Sequence, residues 1–388
     1  MQQQATAAHT AGTIRQVDTF AGDPARAAAE IDDKLGSARH ALIVVWSSGD
    51  YPLADTSSAL AQRRPDARVL GAIGSAVLGP GGYRSHGISA TAFPGDADVV
   101  TASLGDVSRL DFAQGFQAAS WLKSELHRIS GQSAEAENTF ALLLVDGLAQ
   151  CEERLVASVA QGLGTLNLVG ASTGDHFRRL AGRIWYQGHS RDNTAVLVLI
   201  RPRRAFQAFS THHFTPGEQR LLVTRADPAR RVVLELNGEP AARAYARAIG
   251  QPPEMLTPAV LAARPLAVKV GDSHYVRSVR LVSTDPDEGL VFTCAIDQGI
   301  VLRVAHPGDL IADLRHRLHA VATDLGGVAT TLAFDCALRH LELESDGLLP
   351  AADALLARFT IGGLASYGEQ FGRMHLNQTF TGIAFAHE

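Results

Sequence analysis

The stretch "FALLLVDGLAQCEERLVASVAQGLGTLNLVGAS", Phe140 to Ser172, carries the reading of the fold. Its first nine residues, "FALLLVDGL" (140–148), form an apolar run of strand length. Residues 149–163 then return apolar side chains at helical spacing, and "LNLVGAS" (166–172) is a second strand. The same rhythm occurs upstream. "ALIVVWSS" (41–48) is a buried strand, "LADTSSALAQRRP" (53–65) a helix that stops at Pro65, and "ARVLGAIG" (67–74) another strand. Between the two, Phe112, Phe116, Ala119, Leu122 and Leu126 mark an amphipathic helix over 111–130. Strand–helix–strand units of this kind predict an α/β (mixed α+β) fold, with largely parallel or mixed sheets covered by helices.

From 183 to 224 the pattern turns strand-rich, with "RIWYQ", "TAVLVLI", "FQAFSTHHF" and "QRLLVT". In "ADPARRVV", Asp227 reads as a helix N-cap with Pro228 at the first helical position. A helix over 239–249 ends at Gly250. "HYVRSVRLVST" and "GLVFTCAI" read as a hairpin turned by "TDPDEG" (284–289). A helix over 307–325, the strand "ATTLAFDCA", a helix near 350–358 and the strands "GGLASYG" and "NQTFTGIAFA" complete the chain. A length of 388 residues suggests two domains, each a mixed sheet covered by helices. Residues 1–20 read as a mobile tail, 21–205 as the first domain, 206–227 as linking strands and 228–388 as the second. No fixed-period repeat is visible.

Bulk properties exclude several classes. The chain is 46% hydrophobic and 19% charged, the composition of a soluble globular protein. Its net charge is −5, and "RPRRAF" (201–206) is too short a basic cluster to argue for nucleic acid. The longest apolar runs are of strand length, which argues against membrane insertion. Residues 1–20 lack the apolar core of a signal peptide. The three cysteines, Cys151, Cys294 and Cys336, are odd in number and far apart, as expected for reduced thiols in a cytoplasmic protein.

Several motifs invite chemistry. "GASTG" (170–174) matches G-x-S-x-G after a strand, but the arginine-rich "DHFRRLAGRIWYQ" that follows is not the long apolar helix of a nucleophile elbow. A glycine-permitted loop explains it better. "GPGGYRSHG" (79–87) enters a strand rather than a helix and reads as a β-turn. Fifteen histidines include no HExxH and no cysteine pair at zinc spacing, although a single histidine can still ligate a haem iron. In "FSTHHFTP" (209–216) strand alternation sends His212 and His213 to opposite faces, so one can point inward. His189, in "QGHSRD", sits in a turn beside Asp192. Arg178, Arg179, Arg183, Arg201, Arg203 and Arg204 gather near the domain junction, where guanidinium forks suit carboxylates.

The closing stretch "SYGEQFGRMHLNQTFTG" (366–382) crowds Glu369, Gln370, Arg373, His375, Asn377, Gln378 and two threonines together. In an unbroken strand Asn377, Thr379, Thr381, Ile383 and Phe385 would share one face, with room for a bulge near Gly382. Together with "IGSAVLGPGGYRSHGISATAF", "HHFTPGEQRLLVTRADPARRVVLELNGEPAARAYAR", "YVRSV" and "FDCALR", this wording resembles the FIST proteins, with both an N-terminal and a C-terminal FIST unit. The resemblance covers nearly everything after residue 20. It implies a bacterial sensory input module whose output comes from a partner. Within that family the chain resembles the NosP group of haem-binding nitric-oxide sensors, which act with histidine kinases in pathways of biofilm formation and cyclic di-GMP. The positions carried over are His213, Asp335, Cys336, Arg339, Tyr367, Glu369, Gln370, His375, Asn377 and Thr379. The N-terminal motif reads "AIGSAV" where FIST proteins often carry a cysteine, and "STGDHF" is bulkier than the usual loop.

Three functional expectations follow. The first is a haem b sensor of nitric oxide that regulates a histidine kinase, with His213, then His375, then His189 as the iron ligand. The second is a module for a small amino-acid-like metabolite, with Arg339 on a carboxylate and Glu369 on an amine, flanked by Cys336, Tyr367, Gln370 and Asn377. The third is a serine hydrolase using Ser172. A homodimer is compatible with each.

Overall fold

The computed structural model describes residues 12–174, 183–283 and 289–387. Residues 284–288 of the turn expected at 284–289, Arg178, Arg179 and the second half of "STGDHF" lie outside them. The described residues form a mixed α+β protein of four sheets, and three of those sheets follow one plan.

The first unit runs β1 (Arg15–Thr19), α1 (Pro24–Leu35), β2 (His40–Ser48), α2 (Leu53–Arg63), β3 (Arg68–Gly74), a hairpin of β4 (Ala76–Gly79) and β5 (Gly82–Arg84), then β6 (Ile88–Pro94). The second repeats the order: β7 (Asp98–Gly105), α3 (Phe112–Ser130), β8 (Phe140–Asp146), α4 (Glu152–Leu163), β9 (Asn167–Thr173), hairpin β10 (Ile184–Tyr186) and β11 (His189–Arg191), β12 (Thr194–Arg201). The third opens with β13 (Phe206–Thr211) and is interrupted by an insert. That insert contains β14 (Phe214–Asp227), β15 (Val232–Leu236), β16 (Glu239–Pro240), α5 (Ala241–Ile249), α6 (Pro258–Ala263), β17 (Leu266–Val270), β18 (Ser273–Arg277), β19 (Val279–Val282), β20 (Leu290–Phe292) and β21 (Val301–Pro307). The third unit then resumes with α7 (Leu310–Asp324), β22 (Thr330–Cys336), α8 (Ala337–Ser345), α9 (Leu349–Ala357), β23 (Ile361–Ser366), hairpin β24 (Glu369–Phe371) and β25 (Met374–Leu376), and β26 (Phe380–Phe385).

In each unit the second and third strands are parallel, and the last strand lies antiparallel between the first and second. No unit completes its own sheet. Hairpin β10–β11 extends the first sheet, β24–β25 the second and β4–β5 the third. The inner faces of all three sheets share one apolar core, in which Trp46, Leu142, Val198, Phe334 and Phe385 are fully buried. Phe93, Phe140 and Phe385, one from each unit, meet with centroids 5.8–6.3 Å apart. Each buried phenylalanine contributes about 1.5–3 kcal/mol, so this junction ties the units strongly. Helices cover the outer faces, and their starts follow ordinary cap chemistry. Asp23 accepts from Arg26 N at 2.8 Å ahead of α1, and Asp111 with Gln114 forms a capping box ahead of α3.

Most predicted strands and helices occur within a residue or two of their expected ends, and the differences have physical causes. Part of the expected tail is ordered: β1 pairs with β6 in regular register. The strands of 206–227 belong to two sheets: β13 is the edge of one and β14 sits centrally in the insert sheet. Asp227 does not cap a helix. Its Oδ1 accepts from Arg230 N at 3.2 Å in a turn, and the β-branched run that follows forms β15. The strand expected over 377–386 begins only at Phe380, after Gln378 at φ 50°. Gly382 makes no bulge; it pairs regularly with Ala333 and Phe209, and a Cβ there would lie 2.6 Å from Leu332 O.

Candidate functional site

The third strands of the three units converge where they end. Ser75 N donates to Ala365 O at 2.9 Å, Tyr367 N to Ser172 O at 3.0 Å, and Gly174 N to Ile73 O at 3.0 Å. This hub explains "GASTG". A Cβ on Gly170 would stand 1.9 Å from Leu143 O, so the glycine lets β9 lie against β8. Ser172 is fully buried; its hydroxyl donates to Glu152 Oε1 at 3.2 Å and accepts from Gln370 Nε2 at 2.9 Å. His375 is one residue further away, with Nδ1 3.3 Å from Gln370 Nε2. The serine thus pairs with a carboxylate and an amide, not with an imidazole.

Beside the hub lies a cavity of about 290 Å³. The three repeated units, together the barrel, make one side of it through Ser75, Ser366, Tyr367, the residues after β8, Glu152 at the start of α4, and the face of α8 that carries Leu338, His340, Leu341 and Glu344. Its other side is made by the insert, through Arg231, Arg280, Phe292 and Thr293. Leu148 and Leu341, both exposed, stand among its apolar lining. Arg231 Nη2 donates to Glu152 Oε2 and, at 3.0 Å, to Glu153 Oε2, while its Nη1 donates to Thr293 O at 2.6 Å. Burial would pull the Arg231 pKa down, but the two carboxylates hold it above its ordinary value.

Behind the barrel wall run two buried networks. Asp335 accepts from Arg339 Nε at 2.7 Å and from the Tyr83 hydroxyl; Arg339 Nη1 reaches His213 Nδ1 at 3.0 Å, and His213 Nε2 reaches Glu342 at 2.8 Å. In the second, Glu369 accepts from Ser366 Oγ at 2.8 Å and from Thr379 Oγ1 at 2.7 Å. Burial pushes the Glu369 carboxyl up to about 8, so at neutral pH it is mostly a neutral acid. Burial also pushes the Cys336 thiol well up and the His375 imidazole down.

Of the residues singled out in the sequence, Cys336 and Tyr367 line the cavity. Arg339 and Glu369 face other protein groups, and Gln370, His375 and Asn377 pack together beside Ser172. His189 is exposed on the β10–β11 hairpin. His213, in the short link between β13 and β14, is buried with both its ring nitrogens engaged. His375 lies between the Gln370 and Asn377 amides. None of the three histidines lines the cavity, so these residues do not fit a haem as they stand. Sequence reasoning missed Ser75, Glu152 and Arg231. Paired acids opening a helix, Glu152 and Glu153, were the available signal.

Residues 41–239 match the FIST N domain and residues 241–372 the FIST C domain. The chain belongs to the FIST family. FIST domains are generally sensory domains of signal transduction. Among solved structures, this FIST protein is similar to two cyanuric acid hydrolases. One, described as an evolutionary innovation by structural concatenation, is 7% identical, with 96% of this chain and 99% of that chain covered at a TM-score of 0.40. The other, from A. caulinodans, is 8% identical, with 97% and 99% covered at 0.41. No curated protein matches. Among the described residues no helix is long and apolar enough to cross a membrane.

Proposed function

We propose that this FIST protein is a sensory module whose input is a small zwitterion of the α-amino-acid kind, held between the barrel and the insert. The supporting observation is the opposite hydrogen-bond character of the two cavity walls. Ser75 directs its hydroxyl hydrogen to Ala365 O at 3.2 Å, and Ser366 directs its own to Glu369 Oε1 and Gly368 O. Both serines therefore offer lone pairs to the cavity. The insert wall brings the cationic donor Arg280, whose fork suits a carboxylate, beside Arg231, which is held by Glu152 and Glu153. An ammonium group fits the first wall and a carboxylate the second, with Leu338, Leu341 and Phe292 leaving apolar room for a side chain. A volume of about 290 Å³ stands at the small end of ligand pockets. The metabolite reading is kept, while its contacts move from Arg339 and Glu369 to Arg280, Ser75 and Ser366.

Thermal unfolding with free amino acids, and with their N-acetyl and amide derivatives, tests this. A ligand at a hundred times its Kd stabilises the folded state by about 2.7 kcal/mol. One or more free amino acids should raise Tm, and the blocked derivatives should not. No shift with any free amino acid, or equal shifts with the N-acetyl forms, would remove the reading. The alternative is the haem b form of sensing, with nitric oxide as signal and a cytoplasmic histidine kinase as partner. It rests on sequence resemblance and is tested by the Soret spectrum of the purified protein with and without His213→Ala.

A further inference from the structure

The insert is a separate body by its packing. It has apolar clusters of its own, one around Val233, Tyr245, Leu261 and Phe292 and a smaller one around Phe214 and Ala305. Among the described residues no buried apolar cluster joins it to the barrel. Polar bonds cross between them. Glu152 and Glu153 on α4 hold Arg231, and Glu153 Oε1 also accepts from Ala295 N at 2.8 Å. On the other flank Gln378 Nε2 donates to Ala262 O at 2.8 Å. Polar interfaces between bodies of one chain are those across which relative motion is the default.

Two strands of chain connect the insert to the barrel, and they cross side by side. His213 precedes β14, Gly308 follows β21, and Gly308 N donates to His213 O at 2.7 Å. Arg231 stands at the far end of the turn that leads out of β14. Its backbone holds φ 56°, a left-handed conformation that a non-glycine residue adopts only when its surroundings impose it. There its carbonyl accepts from Phe292 N at 2.8 Å while its side chain reaches across to α4. The cavity is walled by Arg231 and Glu152 and by α8, the helix whose Arg339 and Glu342 also reach His213 at the crossing.

We infer that the insert is a hinged cover over the cavity, turning about the paired crossings at His213 and Gly308 and latched shut by Arg231 on Glu152 and Glu153. This rests on the cavity being the sensory site. A ligand touching both walls binds the shut state better than the open one, and occupancy is thereby converted into the insert's position. Arg231 is a positioning residue in this device as well as a wall of the cavity.

The Ala295 amide, bonded across the boundary to Glu153, gives the readout. Hydrogen exchange by mass spectrometry on the whole protein compares peptides covering 293–298 with peptides covering β8. In Glu153→Gln and in Arg231→Gln the 293–298 segment should exchange about tenfold faster, with β8 unchanged. Unchanged exchange at 293–298 in Glu153→Gln overturns the cover, as does an equal acceleration of β8, which would mean general loosening. Glu153→Gln decides the matter if Arg231→Gln does not fold. An equimolar mixture of the twenty standard amino acids should slow exchange at 293–298 in the wild type. If the mixture raises Tm but leaves that exchange unchanged, the cover fails and the ligand reading stands. If the variants open the segment and the mixture does nothing to Tm, the ligand reading fails and the cover stands.

Discussion

Glu369→Gln should make the protein more stable in alkali and leave it nearly unchanged in acid. The carboxyl is fully buried and held up to about 8, from an ordinary value of 4.5. Below pH 4.5 both folded and unfolded chains carry its proton, and the group contributes nothing to the pH dependence. Between 4.5 and 8 the unfolded chain releases the proton while the folded chain keeps it. Unfolding is then favoured by about 1.4 kcal/mol for each pH unit of rise. Above 8 both states are ionised and the loss is complete. The full span sets an upper limit of about 5 kcal/mol, and relaxation around the buried ion lowers it to on the order of 2–3 kcal/mol. Glutamine keeps an oxygen for Ser366 and has nothing to ionise. Denaturant unfolding of both proteins from pH 5 to pH 9 measures the difference, because other titrating groups cancel between them. Parallel stability curves across this range would refute the reasoning.

Asp335→Asn should cost about 3–5 kcal/mol, because it leaves the Arg339 guanidinium buried without its carboxylate; chemical denaturation at pH 7 gives the value. A fluorophosphonate probe should not label the folded protein at Ser172, whose hydroxyl is buried against Glu152 and Gln370; an adduct lost in Ser172→Ala would contradict that geometry.

Much of the fold was legible because each unit states its elements locally. The runs at 41–48, 140–146 and 330–336 are nearly continuous in apolar residues and buried on both faces, as strands between a helix layer and a shared core must be, and the charged Asp335 among them meets a partner. The repetition was harder to see. Ser75 and Ser172 stand about a hundred residues apart, but the insert pushes Ser366 about two hundred further on, so no fixed period survives. Short-range signals also misled where one chemistry serves two structures. Asp227 before Pro228 offers the same side-chain acceptor to a helix start and to a turn, and the alternating run after it chose the turn. The cavity was the least legible part. Ser75, Glu152, Arg231 and Ser366 come from four distant segments, and no local spacing reports that they meet.

The exchanged hairpins set an order in time. As the chain leaves the ribosome, the second sheet has every strand except β24 and β25, which belong to the last tenth of the sequence. Hairpin β4–β5, made early, has no partner until β23 appears. For about half of synthesis β9 presents an unpaired edge of the kind that recruits other strands. A fragment cut at the border between the two FIST segments would keep that edge permanently. In this chain the two segments are thus one unit of folding, and its sheets are complete only once β26 has emerged.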